Sequence, residues 1–372
     1  MTSSSRTLQP LHYTVRRSPY FERTLALGAV EFMVYNHMYM PLDYGRDPRE
    51  DYDALVERVT LWDVGAERQA ELRGPDAVRF ADYLAPRGLT DLAVGGCRFT
   101  PVCDERGAIM ADCIVLRPFA DVVWFSHGDV DYELWAHGLA LAHGFDVTVR
   151  EADVAPLQLQ GPRAAAVLAE VCELDGRQLP RFRCAVTRVA GVEAVVSNTG
   201  WSREAGFEIY PLGSERAPEI WDALVEAGEP HGLLVTGPNI QRAVEQGITD
   251  TQYRMNSGMN PLEAGMAGML DLDGADFVGR DALRAARDAG PARATVGLLV
   301  EGDPVPRLDD FWPVADESGR EVGVARWAVW SYALQSSIAI ALVDTDAAAA
   351  SGFVVHAPDG ERRAAPHAVP FV

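Results

Sequence analysis

Two stretches of this chain repeat one short design, and the repeat constrains the fold more than any other feature. Residues 71–77 read Glu-Leu-Arg-Gly-Pro-Asp-Ala and lead into a helical run to about Leu84; residues 158–164 read Gln-Leu-Gln-Gly-Pro-Arg-Ala and lead into another to about Val171. Each predicts a strand, a tight turn and a helix, because glycine permits the sharp exit and proline is tolerated in the first helical turn. A duplicated α+β unit follows. A third helix is expected over residues 214–227, where Ala217, Ile220, Trp221, Leu224 and Val225 recur at helical spacing before Gly228. From about residue 292 the texture changes to short β runs at 294–300, 320–330, 336–343 and 352–356, with turn signals at Asp316-Glu317-Ser318-Gly319 and Pro358-Asp359-Gly360. This predicts a small antiparallel β domain, with residues 285–293 as its linker. A length of 372 residues suits two or three domains.

Charge and residue usage exclude several function classes. The net charge of -21 repels nucleic acid and anionic membranes. All 33 basic residues other than histidine are arginine. Without a lysine amine there is no internal Schiff base to pyridoxal phosphate, no lipoyl- or biotinyl-lysine and no P-loop lysine. The five cysteines form no C-x-x-C pair and read as reduced, mostly buried thiols, and the eight histidines show no metal-binding spacing, so no metal is expected. There is no G-x-G-x-x-G or G-x-S-x-G motif. No apolar run is long enough to span a bilayer, and Met1-Thr2-Ser3-Ser4-Ser5-Arg6 leads into no secretory core, so a cytoplasmic location is the expectation.

Chemistry concentrates in residues 200–210, Gly-Trp-Ser-Arg-Glu-Ala-Gly-Phe-Glu-Ile-Tyr, a turn running into an alternating strand that aims Trp201, Glu208 and Tyr210 at one locality. Downstream lie Asn-Pro-Leu-Glu-Ala-Gly at 260–265 and Asp-Phe-Val-Gly-Arg-Asp-Ala-Leu at 276–283. In this order and spacing the three segments resemble the tetrahydrofolate-dependent T-protein (aminomethyltransferase) family. The likeness extends over nearly the whole chain, through Leu61-Trp62-Asp63-Val64, residues 107–115, both Gly-Pro turns and the terminal Val369-Pro370-Phe371-Val372. Val34-Tyr35-Asn36-His37-Met38, the run at 62–69 and the Gly-Trp-Ser form of the turn are most similar to the dimethylsulfoniopropionate demethylase branch.

The resemblance implies a three-domain ring of α+β class: two related α+β domains plus a C-terminal antiparallel β-barrel-like domain. The expected boundaries are residues 1–55 with 150–285 for a discontinuous folate-binding domain, 56–149 for the second, and 290–372 for the third. Tetrahydrofolate is the implied cofactor, threaded through the centre, with a methyl group moved to its N5 from a small methylated substrate. A sulfonium such as dimethylsulfoniopropionate fits the branch; aminomethyl or O-methyl transfer by the same fold is the alternative. The expected partner is a small-molecule substrate, with a homodimer left open.

Carried over residue by residue, Glu208 takes the place of the acid that bonds the pterin and Asp112 that of the carboxylate near the reacting nitrogen, the catalytic candidate. Trp201, Tyr210 and Tyr35 fall where the demethylase branch surrounds its sulfonium, with Arg203 on the same turn. Three departures stand out. Phe99 replaces a phenol expected to touch folate, Arg242 lies out of register with the family's arginine, and Arg203-Glu204 stand where demethylases carry a lysine and an amide. Arg326, Arg307, Arg362 and Arg363 are candidates for the folate glutamyl tail, because so acidic a chain must gather positive charge locally. His37 is a further candidate for substrate contact.

The residue types suit the chemistry. A sulfonium leaves as a neutral thioether, so positioning dominates and can supply about 7 to 11 kcal/mol. Aromatic faces receive the cation at roughly 0.5 to 2 kcal/mol each. Glu208 lies in an otherwise apolar strand, where a carboxylate must be paired or face a polar ligand.

Overall fold

The computed structural model describes residues 12–248 and 258–372. The N-terminal residues 1–6, read above for a leader segment, lie outside the described residues. Both Gly-Pro repeats form the expected unit. Gly74 at φ 145° and Gly161 at φ 126° make the exits, and a Cβ on either would meet a backbone oxygen at 2.7 Å, Asp146 O and Arg58 O respectively. The helices run Ala77–Leu84 and Ala164–Val171, with Asp76 and Arg163 at their N-caps, so each proline precedes the helix rather than opening it.

The first unit is a six-stranded sheet in the order Cys184–Val189, Val192–Ser197, Gly206–Pro211, Leu157–Gln160, Val59–Asp63 and Leu233–Val235. Its neighbours are antiparallel except the final pair. Helix Ala217–Gly228 packs Ile220, Trp221 and Leu224 into a core with Leu159, Val196 and Ile209. The second unit is a five-stranded antiparallel sheet in the order Cys97–Cys103, Ile109–Phe119, Val122–His127, Arg68–Arg73 and Thr148–Glu151. The expected break at 55/56 would sever Val59–Asp63 from its sheet; following the sheets, we place the crossing between Asp63 and Arg68.

The third unit is a closed six-stranded barrel, Arg293–Val300, Ser336–Asp344, Glu321–Ser331, Trp312–Asp316, Phe353–Ala357 and Gly360–His367 in order round the wall. Two of these strands, Trp312–Asp316 and Gly360–His367, give no sequence signal. Most of the expected linker is helix Arg280–Ala289, which buries Leu283 and stops at Gly290, so the connection shortens to Gly290-Pro291-Ala292. Four of the five free cysteines are buried and Cys172 is half-buried. No helix among the described residues is long and apolar enough to cross a membrane.

A hairpin, Glu31–Tyr35 with Met38–Asp43, joins the first two units. Its turn residues Asn36 and His37 have φ of 48° and 61°, the two-residue left-handed geometry that matches strand twist. The Asn36 side chain donates to Ala66 O at 3.0 Å and accepts from Val130 N at 3.2 Å, while its backbone N donates to Asp129 at 2.8 Å.

Candidate functional site

All three units open onto one central cavity of about 1230 Å³. The first contributes Tyr35, Trp201, Arg203, Glu204 and Glu208; the second, Phe99, Asp112 and His127; the barrel, Arg326, Trp327 and Trp330. Residues 112, 201 and 208, distant in sequence, therefore share one hollow.

Glu208 is almost wholly buried, and four neutral donors hold it. Gln158 Nε2 donates to Oε1 at 2.9 Å; Tyr210 OH donates to Oε2 at 2.8 Å, Ser197 Oγ at 3.5 Å, and Thr199 Oγ1 joins them at short range. The register explains the cluster, since Glu208 lies opposite Ser197 on one side and Gln158 on the other. Burial raises its pKa, and the hydroxyl bonds from Thr199, Tyr210 and Ser197 offset part of that rise. Among the described residues no cation pairs with it. A charge kept in a dry place by neutral dipoles retains demand for further N–H donors at the cavity face.

Tyr210 requires a correction. Fully buried, it packs against Trp124 with ring centroids 6.0 Å apart and does not reach the cavity wall; its role toward Glu208 is that of a bracing donor. Arg242 is likewise set back from the wall. Its Nε donates to Glu204 Oε1 at 2.7 Å and its NH1 to Glu245 Oε2 at 3.0 Å. Burial pulls the guanidinium pKa down, but the bonds to Glu245 and Glu204 outweigh it and leave the pKa raised. Glu245, fully buried, also accepts from Tyr52 OH at 2.7 Å and from the barrel's Ser331 Oγ at 2.6 Å. Arg242 thus ties the substrate turn to the barrel junction rather than facing a cofactor.

Trp201 packs beside Tyr35, Met38, Met40 and Trp62 and turns to the cavity, its backbone N donating to Gln158 Oε1 at 3.3 Å. Gln160 fixes the turn from beneath: Ser202 Oγ donates to it at 2.9 Å, and a Cβ on Gly200 would meet its Oε1 at 2.3 Å. Asp112 sits within strand Ile109–Phe119, opposite Pro101. Phe99 lines the cavity and its carbonyl accepts from Arg87 at 2.6 Å. Arg326 and Arg307 reach the cavity, Arg326 lying 5.6 Å over the Phe311 ring; Arg362, engaged with Asp359, and Arg363 do not line it. His37 is exposed at its turn, away from the cavity. Sequence reasoning missed Gln158, Ser197 and Thr199, which carry the Glu208 network, and Trp327 and Trp330 from the barrel.

Comparison with known proteins agrees with this architecture. The GCVT N-terminal domain model matches residues 20–274 and the glycine cleavage T-protein C-terminal barrel domain model matches residues 293–372. The chain belongs to the glycine cleavage T-protein family, the tetrahydrofolate-dependent one-carbon transferases, and is an enzyme of that class. It is 36% identical to the dimethylsulfoniopropionate demethylase DmdA of Ruegeria pomeroyi over 94% of this chain and 95% of that one. It is also 32% identical to an aminomethyltransferase of Symbiobacterium thermophilum, covering 90% of each. The glycine cleavage aminomethyltransferase T structure from Bartonella henselae superposes with a TM-score of 0.85 over 96% of this chain and 98% of that one, at 22% identity, which shows the fold.

The donor set fits tetrahydrofolate. A pterin edge rich in N–H groups needs an acceptor-only anion in a dry site, and Glu208 is a buried carboxylate at the face of a cavity that also carries the flat side chains of Phe99 and Trp327.

Proposed function

We propose that this enzyme removes a methyl group from a small sulfonium, of which dimethylsulfoniopropionate is the type, and passes it to tetrahydrofolate. The observation that carries this reading is Trp201 beside Tyr35 on a wall shared with Glu208 and Asp112. Tetrahydrofolate supplies the nucleophilic nitrogen, N5, that receives the carbon. The chain's residues then have separable tasks. Trp201 and Tyr35 present aromatic faces to a cationic methyl donor. The sulfur departs neutral with the bond's electron pair, so no general acid is needed at the leaving group. Glu208 holds the cofactor edge, and Asp112 is the carboxylate that takes the proton released at the amine. The 36% identity to a demethylase with this substrate in its name supports the choice.

An aminomethyl or O-methyl donor is the second reading, favoured by the aminomethyltransferase relatives, with Asp112 as the wall carboxylate that would protonate the leaving group. Such a leaving group needs a proton, so its rate should follow protonation of a wall carboxylate. Incubation with tetrahydrofolate and a panel of sulfonium, betaine and methoxyaromatic compounds is expected to give 5-methyl-tetrahydrofolate from a sulfonium. Formation only from a methoxyaromatic, or from none, defeats the proposal. Trp201→Ala is expected to raise the donor KM at least tenfold, in line with loss of one desolvated cation–π contact, while leaving the tetrahydrofolate KM within about twofold.

A further inference from the structure

One sector of the cavity wall carries two guanidinium groups with no acid to match them. Arg181 and Arg203 both line the cavity, and among the described residues neither makes an ion pair, in a chain where Asp and Glu outnumber Lys and Arg 54 to 33. Glu204, the next residue along, is already committed to Arg242 at 2.6 Å. Both side chains keep solvent access, and partial desolvation, together with the charge of Arg181, holds the Arg203 pKa below its usual range. Two cations on one cavity wall, with no acid paired to either among the described residues, form a local positive field that favours an anionic ligand group.

The backbone supports this arrangement. Arg203 has φ 58° and Phe182, next to Arg181, has φ 58°, two of the six non-glycine residues in the left-handed region among the described residues. Such positions are disfavoured for side chains of this size and concentrate at ligand-binding sites. The two segments are tied together: Phe182 N donates to Asn198 O at 3.0 Å, and Asn198 Nδ2 donates to Leu179 O at 2.7 Å. Arg181 is braced 5.8 Å over the Phe182 ring. Arg203 and Trp201 leave the same turn two residues apart, so an anion at the first and a cation at the second are separated by a short spacer.

We propose that Arg181 and Arg203 form a carboxylate-binding subsite that grips the non-reacting end of the methyl donor. The substrate is then a short zwitterion, its cation against Trp201 and its carboxylate against the guanidinium pair. This rests on the methyl-transfer reading above. A folate glutamyl carboxylate offers the same chemistry, so the test must separate the two sources.

The double variant Arg181→Leu/Arg203→Leu and the conservative Arg203→Lys are assayed with dimethylsulfoniopropionate and with ethyldimethylsulfonium, which lacks a carboxylate. Each is run with tetrahydrofolate and with tetrahydropteroate, which lacks the glutamate. The double variant is expected to raise the dimethylsulfoniopropionate KM roughly 10- to 100-fold, the range for losing charge-assisted bonds. Its kcat, and the ethyldimethylsulfonium KM, stay within about twofold; Arg203→Lys recovers part of the loss. A rise confined to tetrahydrofolate over tetrahydropteroate assigns the pair to the cofactor tail and overturns the proposal, as does an unchanged KM throughout. Calorimetry with 3-(methylthio)propionate reads the subsite without turnover. If no sulfonium is demethylated yet this carboxylate binds wild type and not the double variant, the methyl-transfer reading fails and the subsite stands; equal binding to both overturns the subsite.

Discussion

Two carboxylates on the same cavity wall, Glu208 and Glu204, are held in opposite ways. Glu208 sits among hydroxyl and amide donors, with no cation paired to it among the described residues, and burial raises its pKa. Glu204 is met by Arg242, which is in turn met by the buried Glu245. Three residues of chain separate them, yet one is a charge awaiting donors from a ligand and the other a charge spent on architecture. An acid on a cavity wall therefore says little about function until its protein partners are counted.

The sharpest way to break the contrast is at Arg242. Arg242→Leu leaves Glu245 buried without its cation, and losing one member of a buried pair costs about 3 to 5 kcal/mol; urea unfolding should show that loss, with the barrel junction weakened. An unchanged midpoint would mean that Tyr52 and Ser331 alone suffice for Glu245. Next comes Glu208→Gln, which replaces an acceptor-only group by an amide. The tetrahydrofolate KM is expected to rise about 100-fold or more, from two charge-assisted bonds at about 1.5 kcal/mol each or more, with the sulfonium KM little moved. Because the ionised form is the acceptor and its pKa is raised, cofactor affinity should fall on acidification at a pH above the ordinary glutamate range. An acid limb at or below that range would contradict the reading.

Asp63 tests what burial does without a ligand. It accepts from Ser18 Oγ at 2.5 Å and Gly65 N at 3.0 Å, and burial pushes its pKa from 3.8 up to about 6. A raised folded-state pKa means that its stabilising contribution is complete below the unfolded value and disappears as pH climbs through about 6. Relative to wild type, Asp63→Asn should gain about 3 kcal/mol between pH 3 and pH 7, at about 1.36 kcal/mol for each of roughly two pKa units. Parallel stability–pH curves for the two proteins would refute this. The smallest effect is expected at Tyr210→Phe, which removes one donor to Glu208: a rise of about fivefold in the tetrahydrofolate KM, equivalent to about 1 kcal/mol, against no change for the donor.

The two Gly-Pro units, the third helix and four of the six barrel strands were legible because turn chemistry and apolar spacing leave marks in sequence. Trp312–Asp316 left none, since Pro313 reads as a strand breaker, and Gly360–His367 shows arginine and alanine without alternation. The last half of helix Arg280–Ala289, residues 285–289, resembled a linker because the helix's only deeply buried side chain is Leu283. At the site, Glu208 stood out as an acid in an apolar strand, and Trp201 and Asp112 came from the family likeness. Gln158, Ser197 and Thr199 were invisible, because neutral polar residues at strand positions acquire meaning only when register sets them opposite the acid. Tyr210 was misplaced for the complementary reason: alternation puts it on the Glu208 face without saying that Glu208 stands between it and the cavity.

The cavity draws its wall from residues as far apart as Glu31 and Trp330. A chain emerging from the ribosome can complete both sheets while the hollow still lacks its third side, so folate cannot template the early stages of folding. Ligand stabilisation is reserved for the finished molecule, and a partly made copy gains no protection from an abundant cofactor supply.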